Sequence, residues 1–489
     1  MTYLPMAHPD RGRSSGDVLR WPVIGRLLRW RHARTTLQLA ALLVAAVVVL
    51  HGLFGPQVAP RNLATVVTWV HYRGLLVIVL LAAGNFFCTG CPFVLTRDIA
   101  RRQHMPTSPW PRWLRTKWIG IALFAGVLFT YELFDLWALP AATAWLVLGY
   151  FGAALAIDLM FTGATFCKYL CPIGQFNFTA SALSPLEVTA RDADVCGTCT
   201  TADCISGRRA VDDAARITQR GCELGLFLPS KVGNMDCTFC LDCVQACPHD
   251  NVALSARVPG AELVDGRRRS GIGRFADRPD IAALAVIFAF GALLNAFAMV
   301  GPVYELEEWL ARAMGVSSEG PVLAVIFLFA LGVVPLLLLG GAAAAGRLLV
   351  SRSDGSIGAD IVHYAVALVP IGFGLWLAHY AFHFLTGVST IVPVTQRAAA
   401  DLFGWAVLGE PLWRWVGMQP GAVFPIQIGF VLLGTMGSLV VAHGISEREH
   451  PGHTGRATAP WALLVVLLAA AALWVLSQPM EMRGMEFPG

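Results

Sequence analysis

The chain has 489 residues, 56% of them hydrophobic and only 14% charged, with a formal net charge of +4. Mean hydropathy is +0.61. That is too apolar for an ordinary soluble protein and leaves a polytopic membrane protein, mainly α-helical, with one polar island inside a series of apolar runs.

Nine apolar runs are long enough to read as spans: 33 to 54, 66 to 86, 116 to 134, 140 to 162, 281 to 302, 320 to 342, 361 to 385, 421 to 443 and 460 to 477. They divide the chain into a four-span membrane region (1–162), a polar island (163–280), and a five-span region with a tail (281–489). The basic stretches RLLRWRHAR, RDIARRQHMPTSPWPRWLRTK and GRLLVSRS flank alternate spans. They predict a cytoplasmic N-terminus and island, and a C-terminus outside. YELFDLWALP and VYELEEWLARAMGVSSEG, acidic or nearly uncharged, agree as outer loops. No small-residue cleavage pattern follows the basic N-terminal region, so the first span reads as a retained anchor.

Residues 387 to 420 look too broken to cross and are expected at the outer interface, where Trp405, Trp413 and Trp415 would be comfortable. GGAAAAG from Gly340 lacks the lysine and hydroxyl residue of a phosphate loop and reads as close helix packing. GRRR at 266–269 suits a membrane surface better than nucleic acid, since no recognition fold accompanies it.

The island carries MDCTFCLDCVQACPHDNV, in which Cys237, Cys240, Cys243 and Cys247 precede Pro248. This is the spacing of a bacterial ferredoxin, three ligands for one cubane and a fourth for another. Cys196, Cys199 and Cys204 supply a second set, with Cys222 as the crossing ligand. The expectation is two 4Fe-4S clusters, one on Cys237, Cys240, Cys243 and Cys222 and one on Cys196, Cys199, Cys204 and Cys247; structural zinc is the alternative for the second group. GRRAVDDAARITQR, between Cys204 and Cys222, is expected to be a short helix or surface insertion.

Four more cysteines, Cys88 and Cys91 in NFFCTGCPF and Cys167 and Cys171 in TFCKYLCPIGQ, fall at the inner ends of the second and fourth spans. Brought together they suit a third 4Fe-4S cluster at the membrane surface, a copper or zinc ion, or buried free thiols. Lys168 and the basic loop from Arg97 to Lys117 would balance thiolate charge, or serve only to hold the loop in the cytoplasm.

With these motifs the chain resembles the polytopic iron-sulfur proteins of the NapH, NosR and CcoG group, and is most similar to FesM-type membrane iron-sulfur proteins. The resemblance covers roughly residues 66 to 255 and rests on FCTGCPF, FCKYLCPIGQ and CTFCLDCVQACP. It implies an inserted dicluster ferredoxin-like domain. It also implies electron transfer between a cytoplasmic redox protein and the quinone pool or a cytochrome-containing complex such as cytochrome bc1, in a bacterial inner membrane. The alternatives are a membrane metal or quinone reductase, or a maturation or scaffold protein for another oxidoreductase.

Histidines complete the candidates. His363 and His443 lie near the same ends of their spans and could ligate a b-type haem or bind a quinone, or be structural. His379 and His383 share a helical face, and His51 and His71 lie on that side of the membrane; together they suit a second haem, copper or quinol site, though ordinary interfacial roles explain all four with fewer assumptions. Met480, Met482 and Met485 offer soft ligands for Cu(I), or a tail that packs on a partner.

Overall fold

A computed structural model of the chain describes residues 16–210, 212, 217–351, 354–405, 408–413 and 417–480. The fold is mainly helical. Eight helices are long and apolar enough to cross a membrane: α1 (Ala33–Phe54), α2 (Leu63–Ala82), α4 (Pro140–Met160), α5 (Pro279–Phe297), α6 (Glu319–Leu349), α7 (Ile357–Phe403), α8 (Pro420–Glu449) and α9 (Thr454–Ser477). The expected third span is α3 (Trp118–Leu133), at 16 residues shorter than the rest. At about 1.5 Å per residue it measures roughly 24 Å, less than the hydrocarbon core of about 30 Å.

The bundle wears its apolar side chains outward as well as inward. Leu337, Leu433 and Val440 are each about two-thirds exposed on their helices. In water such a belt would be a liability; against lipid tails it is the expected surface. The centre is α7, whose residues from Tyr364 to Ala381 are buried without a break. Small residues allow its closest crossing. A Cβ on Gly374 would meet the Phe430 carbonyl at 2.5 Å, and one on Gly434 would meet the Pro370 carbonyl at 2.7 Å. The GGAAAAG stretch contributes less than its composition suggests, because Gly340 and Gly341 face open space; Ala342, Ala343 and Gly346 are its buried positions.

Residues 387 to 420 do not simply lie at an interface. Helical turns continue from α7 to Phe403, and Val394 and Ala398 join Val48, Leu63 and Ala64 in a buried cluster with Trp413 against it. Trp405 is exposed and stacks on Phe403 at 4.7 Å; Trp415 lies outside the described residues. The acidic segment after α5 forms an amphipathic helix, Gly301–Met314, that lays Leu306 and Leu310 on the core.

The polar island gathers at one end of the bundle. Strand β1 (Leu186–Ala190) pairs antiparallel with β4 (Val252–Ala256), Leu186 opposite Ala256. Of the described residues between Cys204 and Cys222, Arg208–Arg209 (β2) and Ile217–Gln219 (β3) pair as a second small, exposed sheet, which fits the expected surface insertion rather than a short helix; 211 and 213–216 lie outside the described residues. Residues ahead of α1 pack on the same unit. Val18 and Leu19 are buried beside Leu254, and the Asp17 carboxylate accepts from the Leu254 N–H at 3.1 Å. At the opposite end Met480 bridges to Val300, so the chain before α1 and the chain after α9 lie at different ends.

What fixes the island to the helices is charge inside the joint. Lys117, just ahead of α3, places Nζ 2.5 Å from the Asp236 carboxylate and 2.7 Å from the Lys168 carbonyl; both acid and amine are about 2% exposed. Its backbone N–H donates to Asp280 at 2.7 Å, at the start of α5. Removing one partner of such a pair strands the other charge, at a cost of about 3–5 kcal/mol. Lys117→Met or Asp236→Asn is therefore expected to lower the thermal melting temperature of the detergent-solubilised chain by several degrees. The double replacement Lys117→Met/Asp236→Leu should recover part of that loss.

Candidate functional site

The local backbone explains why the cysteine segments meet. Gly84 turns the chain after α2 with φ of +99°, and a Cβ there would meet the Ser184 hydroxyl at 2.7 Å and the Phe239 ring at 2.9 Å. Pro92 and Pro172 each open a short helix immediately after a cysteine, at the position where a missing N–H costs least. In the island loop Asp236, Phe239 and Leu241 all have positive φ, a conformation that side chains adopt only when their surroundings hold them there. The surroundings do so: Asn85 Nδ2 donates to the Cys237 carbonyl at 3.0 Å, and the Thr89 hydroxyl donates to the Phe239 carbonyl at 2.7 Å.

Beneath this loop lies a partly open cavity of about 450 Å³. One end is walled by Cys88, Cys91, Cys167, Cys171 and Cys240, with Phe93, Tyr150 and Phe166 around them. The walls continue along Phe124 and Phe176 to Trp69, Arg73 and Tyr380 in the helical bundle. Asn177 Nδ2 donates to the Cys88 sulfur at 3.3 Å, and the Gly174 N–H to the Cys171 sulfur at 3.2 Å. Gly174 cannot be larger, since a Cβ would stand 2.8 Å from the Cys167 carbonyl.

All twelve cysteines are free thiols. Electrostatic coupling puts Cys88, Cys91, Cys167 and Cys171 in one neighbourhood and Cys222, Cys237, Cys240 and Cys243 in a second. A third holds Cys196, Cys199, Cys204 and Cys247. Proximity is not a metal centre, however. Among the described residues no group of three or more His, Cys, Asp or Glu side chains is disposed to hold a metal ion. The expected 4Fe-4S clusters, the zinc and copper alternatives and the b-type haem are corrected on that finding. With them go the iron-sulfur electron-transfer role and the reductase and maturation roles that drew on the same centres. Comparison of the chain with protein-family models, curated proteins and solved structures finds no match, so the resemblance to NapH, NosR, CcoG and FesM-type proteins is not sustained.

The histidines take separate parts. His363 sits 3.8 Å from Glu449, while His443 is exposed on α8. His51 accepts from the Leu63 N–H at 3.0 Å and meets Asp401 at 3.3 Å; His71 lies between the Val66 and Val388 carbonyls. Both are structural ties between helices. His379 and His383 are packed ring to ring at 4.8 Å. Met482 and Met485 lie outside the described residues.

Two arginines of the basic loop take a part the sequence did not suggest, and a third arginine was not singled out at all. Arg97, 1% exposed, binds Glu223 at 2.6 Å, Asp98 at 2.7 Å and Asp158 at 3.4 Å. Arg101 donates to the Phe161 and Gly163 carbonyls, so this part of the basic loop is built into the joint. The third is Arg73, whose guanidinium lies over the Trp69 and Tyr131 rings at 4.3 Å and over Tyr380 at 5.0 Å. Its signal was one arginine inside an apolar run, VVTWVHYRGLLVIVL. Such a residue costs about 2.5–3.5 kcal/mol at a helix centre on insertion scales. Desolvated cation–π contacts of up to about 2 kcal/mol each are of the size needed to offset it.

Burial, and then the neighbouring Cys91, pushes the Cys88 thiol from 9.0 up to about 12. Burial likewise raises Cys91, Cys167 and Cys171, and lifts Cys204 to about 11. Cys199 moves the other way: burial opposes ionisation there, but the N–H groups of Ala202 and Thr201 and the Thr201 hydroxyl outweigh it. Because the thiolate is the nucleophile, iodoacetamide at pH 7 is expected to modify Cys199 first and the cavity thiols last, read by peptide mass spectrometry. A thiol raised in the folded state supports folding below its unfolded value and loses that support as pH rises. The contribution of Cys88 should therefore fade from about pH 9 to about pH 12, and Cys88→Ala should flatten that part of the stability profile.

Proposed function

We propose that this chain binds a membrane-soluble ring compound of the quinone class in the cavity, with the quinone pool as its exchange partner. The observation that carries the reading is the cavity itself, about 450 Å³ of mostly aromatic and aliphatic wall with a few fixed polar groups. Apolar walls with sparse, placed donors are how proteins hold amphipathic ligands of that size. Planar rings stack well on Phe124, Phe166 and Phe176, and Asn177 offers a polar contact at the thiol end. The neutral thiols there are soft, polarizable wall rather than charge.

The same reading places the thiol end of the bundle in the cytoplasm of a bacterial cell, and the C-terminal end outside. Its support is the basic sequence ahead of α1 and between α2 and α3. A membrane-impermeant maleimide added to intact cells should leave Cys199 unlabelled, and should label it once the membrane is opened. Labelling in intact cells would reverse the orientation.

Binding is tested with the full chain in nanodiscs and an alkyl-benzoquinone, followed by quenching of tryptophan fluorescence. Val147→Trp, which fills the cavity from its α4 wall, should weaken binding by about tenfold or more, a loss of roughly 1.4 kcal/mol. Unchanged binding would remove the cavity as the site. Stoichiometric iron and acid-labile sulfide on anaerobically purified chain would overturn the reading as a whole, because thiolate-held inorganic centres would then occupy the thiol end.

A further inference from the structure

The far end of the cavity is lined by Arg73 and Tyr380, and beside them, behind the cavity wall, are buried imidazole nitrogens with nothing to bond. Arg73 stands ten residues into α2, roughly 15 Å from either end of that helix. Three rings cover its faces and the Tyr131 hydroxyl shares one hydrogen bond with it. A guanidinium has five N–H donors in its plane, which rings above and below do not use. Arg73 lines the cavity.

Within electrostatic reach of it on α7 stand His379 and His383. His379 is 0% exposed, and neither of its ring nitrogens has a hydrogen-bond partner; Nε2 of His383 has none either. Buried polar groups in native proteins are bonded as a rule. His51 and His71, buried in the same bundle, obey it, with both ring nitrogens of each engaged. Other buried side chains also carry an unpartnered atom, Asn85 Oδ1 and Asn177 Oδ1 among them, but at His379 both nitrogens of one ring are unpartnered, and they lie near a buried cation that also has Glu132 within electrostatic reach.

We infer that Arg73, His379 and His383 form the site for the oxygen-bearing ring of the cavity ligand, a carbonyl oxygen accepting from Arg73 and an imidazole supplying the second hydrogen bond. The inference rests on the cavity reading above and adds an orientation to it: ring toward Arg73, away from the thiols. Tyr380, between the imidazoles in sequence and over Arg73 in space, stacks against the ring.

The experiment uses the full chain in nanodiscs, an alkyl-benzoquinone for affinity and an azido-benzoquinone for photolabelling. Arg73→Met and His379→Leu should each weaken affinity by about tenfold or more, the effect of losing one charge-assisted or buried hydrogen bond. Arg73→Lys should restore part of the Arg73→Met loss, and the photolabel should map to the 379–383 turn. The inference is overturned, and the cavity reading kept, if Val147→Trp weakens binding while both polar variants stay within twofold of the unaltered chain. If all three variants bind as before, both fall. Displacement of the quinone by a long-chain fatty acid, with an affinity as sensitive to Arg73→Met, would overturn the ring assignment in favour of a carboxylate. His379→Leu is an apolar replacement in an apolar setting, so the test survives if Arg73→Met fails to fold.

Discussion

The joint between the island and the bundle depends on one buried pair, Lys117 with Asp236. The island loop has three residues at positive φ, a shape it does not hold unaided. Lys117 reaches Asp236 at the root of that loop, the Lys168 carbonyl beside Cys167, and through its backbone the first turn of α5. One amine thus sets the distances among a helix start, a cysteine segment and the island. A hydrophobic contact could supply similar stability, but it would not fix direction as a charge with three donors does.

Most of the helical architecture was legible in the sequence, because the signal for a span is carried by a run of residues and needs no partner. Eight of the nine apolar runs are helices long enough to cross, and the short one, Trp118–Leu133, differs only in length. Spacing in the sequence named residues for a site without fixing the chemistry they support. Spacing placed cysteines at Cys88, Cys91, Cys167 and Cys171 at one end of the bundle, but whether side chains converge on an ion depends on rotation and depth, which periodicity leaves free. The histidines failed for the same reason. His363 and His443 share a depth, yet it is Ser446 and Glu449 that face α7, at Tyr364 and His363, while His443 points away. The basic loop misled in the other direction: Arg97 and Arg101 look like retained surface charge and are buried structural groups.

Polarity within the cavity runs opposite to what the sequence suggests. The island end, rich in charge along the chain, presents mainly neutral thiols, because its arginines and acids neutralise one another at Arg97, Asp98, Asp158 and Glu223. The membrane end, apolar along the chain, presents a guanidinium, with two imidazoles buried nearby. A ligand entering from lipid would therefore meet its strongest hydrogen-bond donor at the end its own apolar part prefers, which suits a molecule whose polar ring is itself lipid-soluble and excludes little else by charge.

The two buried arginines make the point by contrast. Arg97 is matched by carboxylates, which consume its N–H groups and leave a rigid, spent cation suited to holding helices together. Arg73 is covered by rings, which lower the cost of burying its charge from above and below, and only the Tyr131 hydroxyl is seen to share a hydrogen bond with it. A carboxylate at the position of Tyr131 or Tyr380 would stabilise Arg73 at least as well, and would also occupy the donors a ligand needs. Aromatic compensation is the arrangement that keeps a cation both tolerable inside a membrane and available to bind, and it sits where this chain also leaves two imidazoles unbonded.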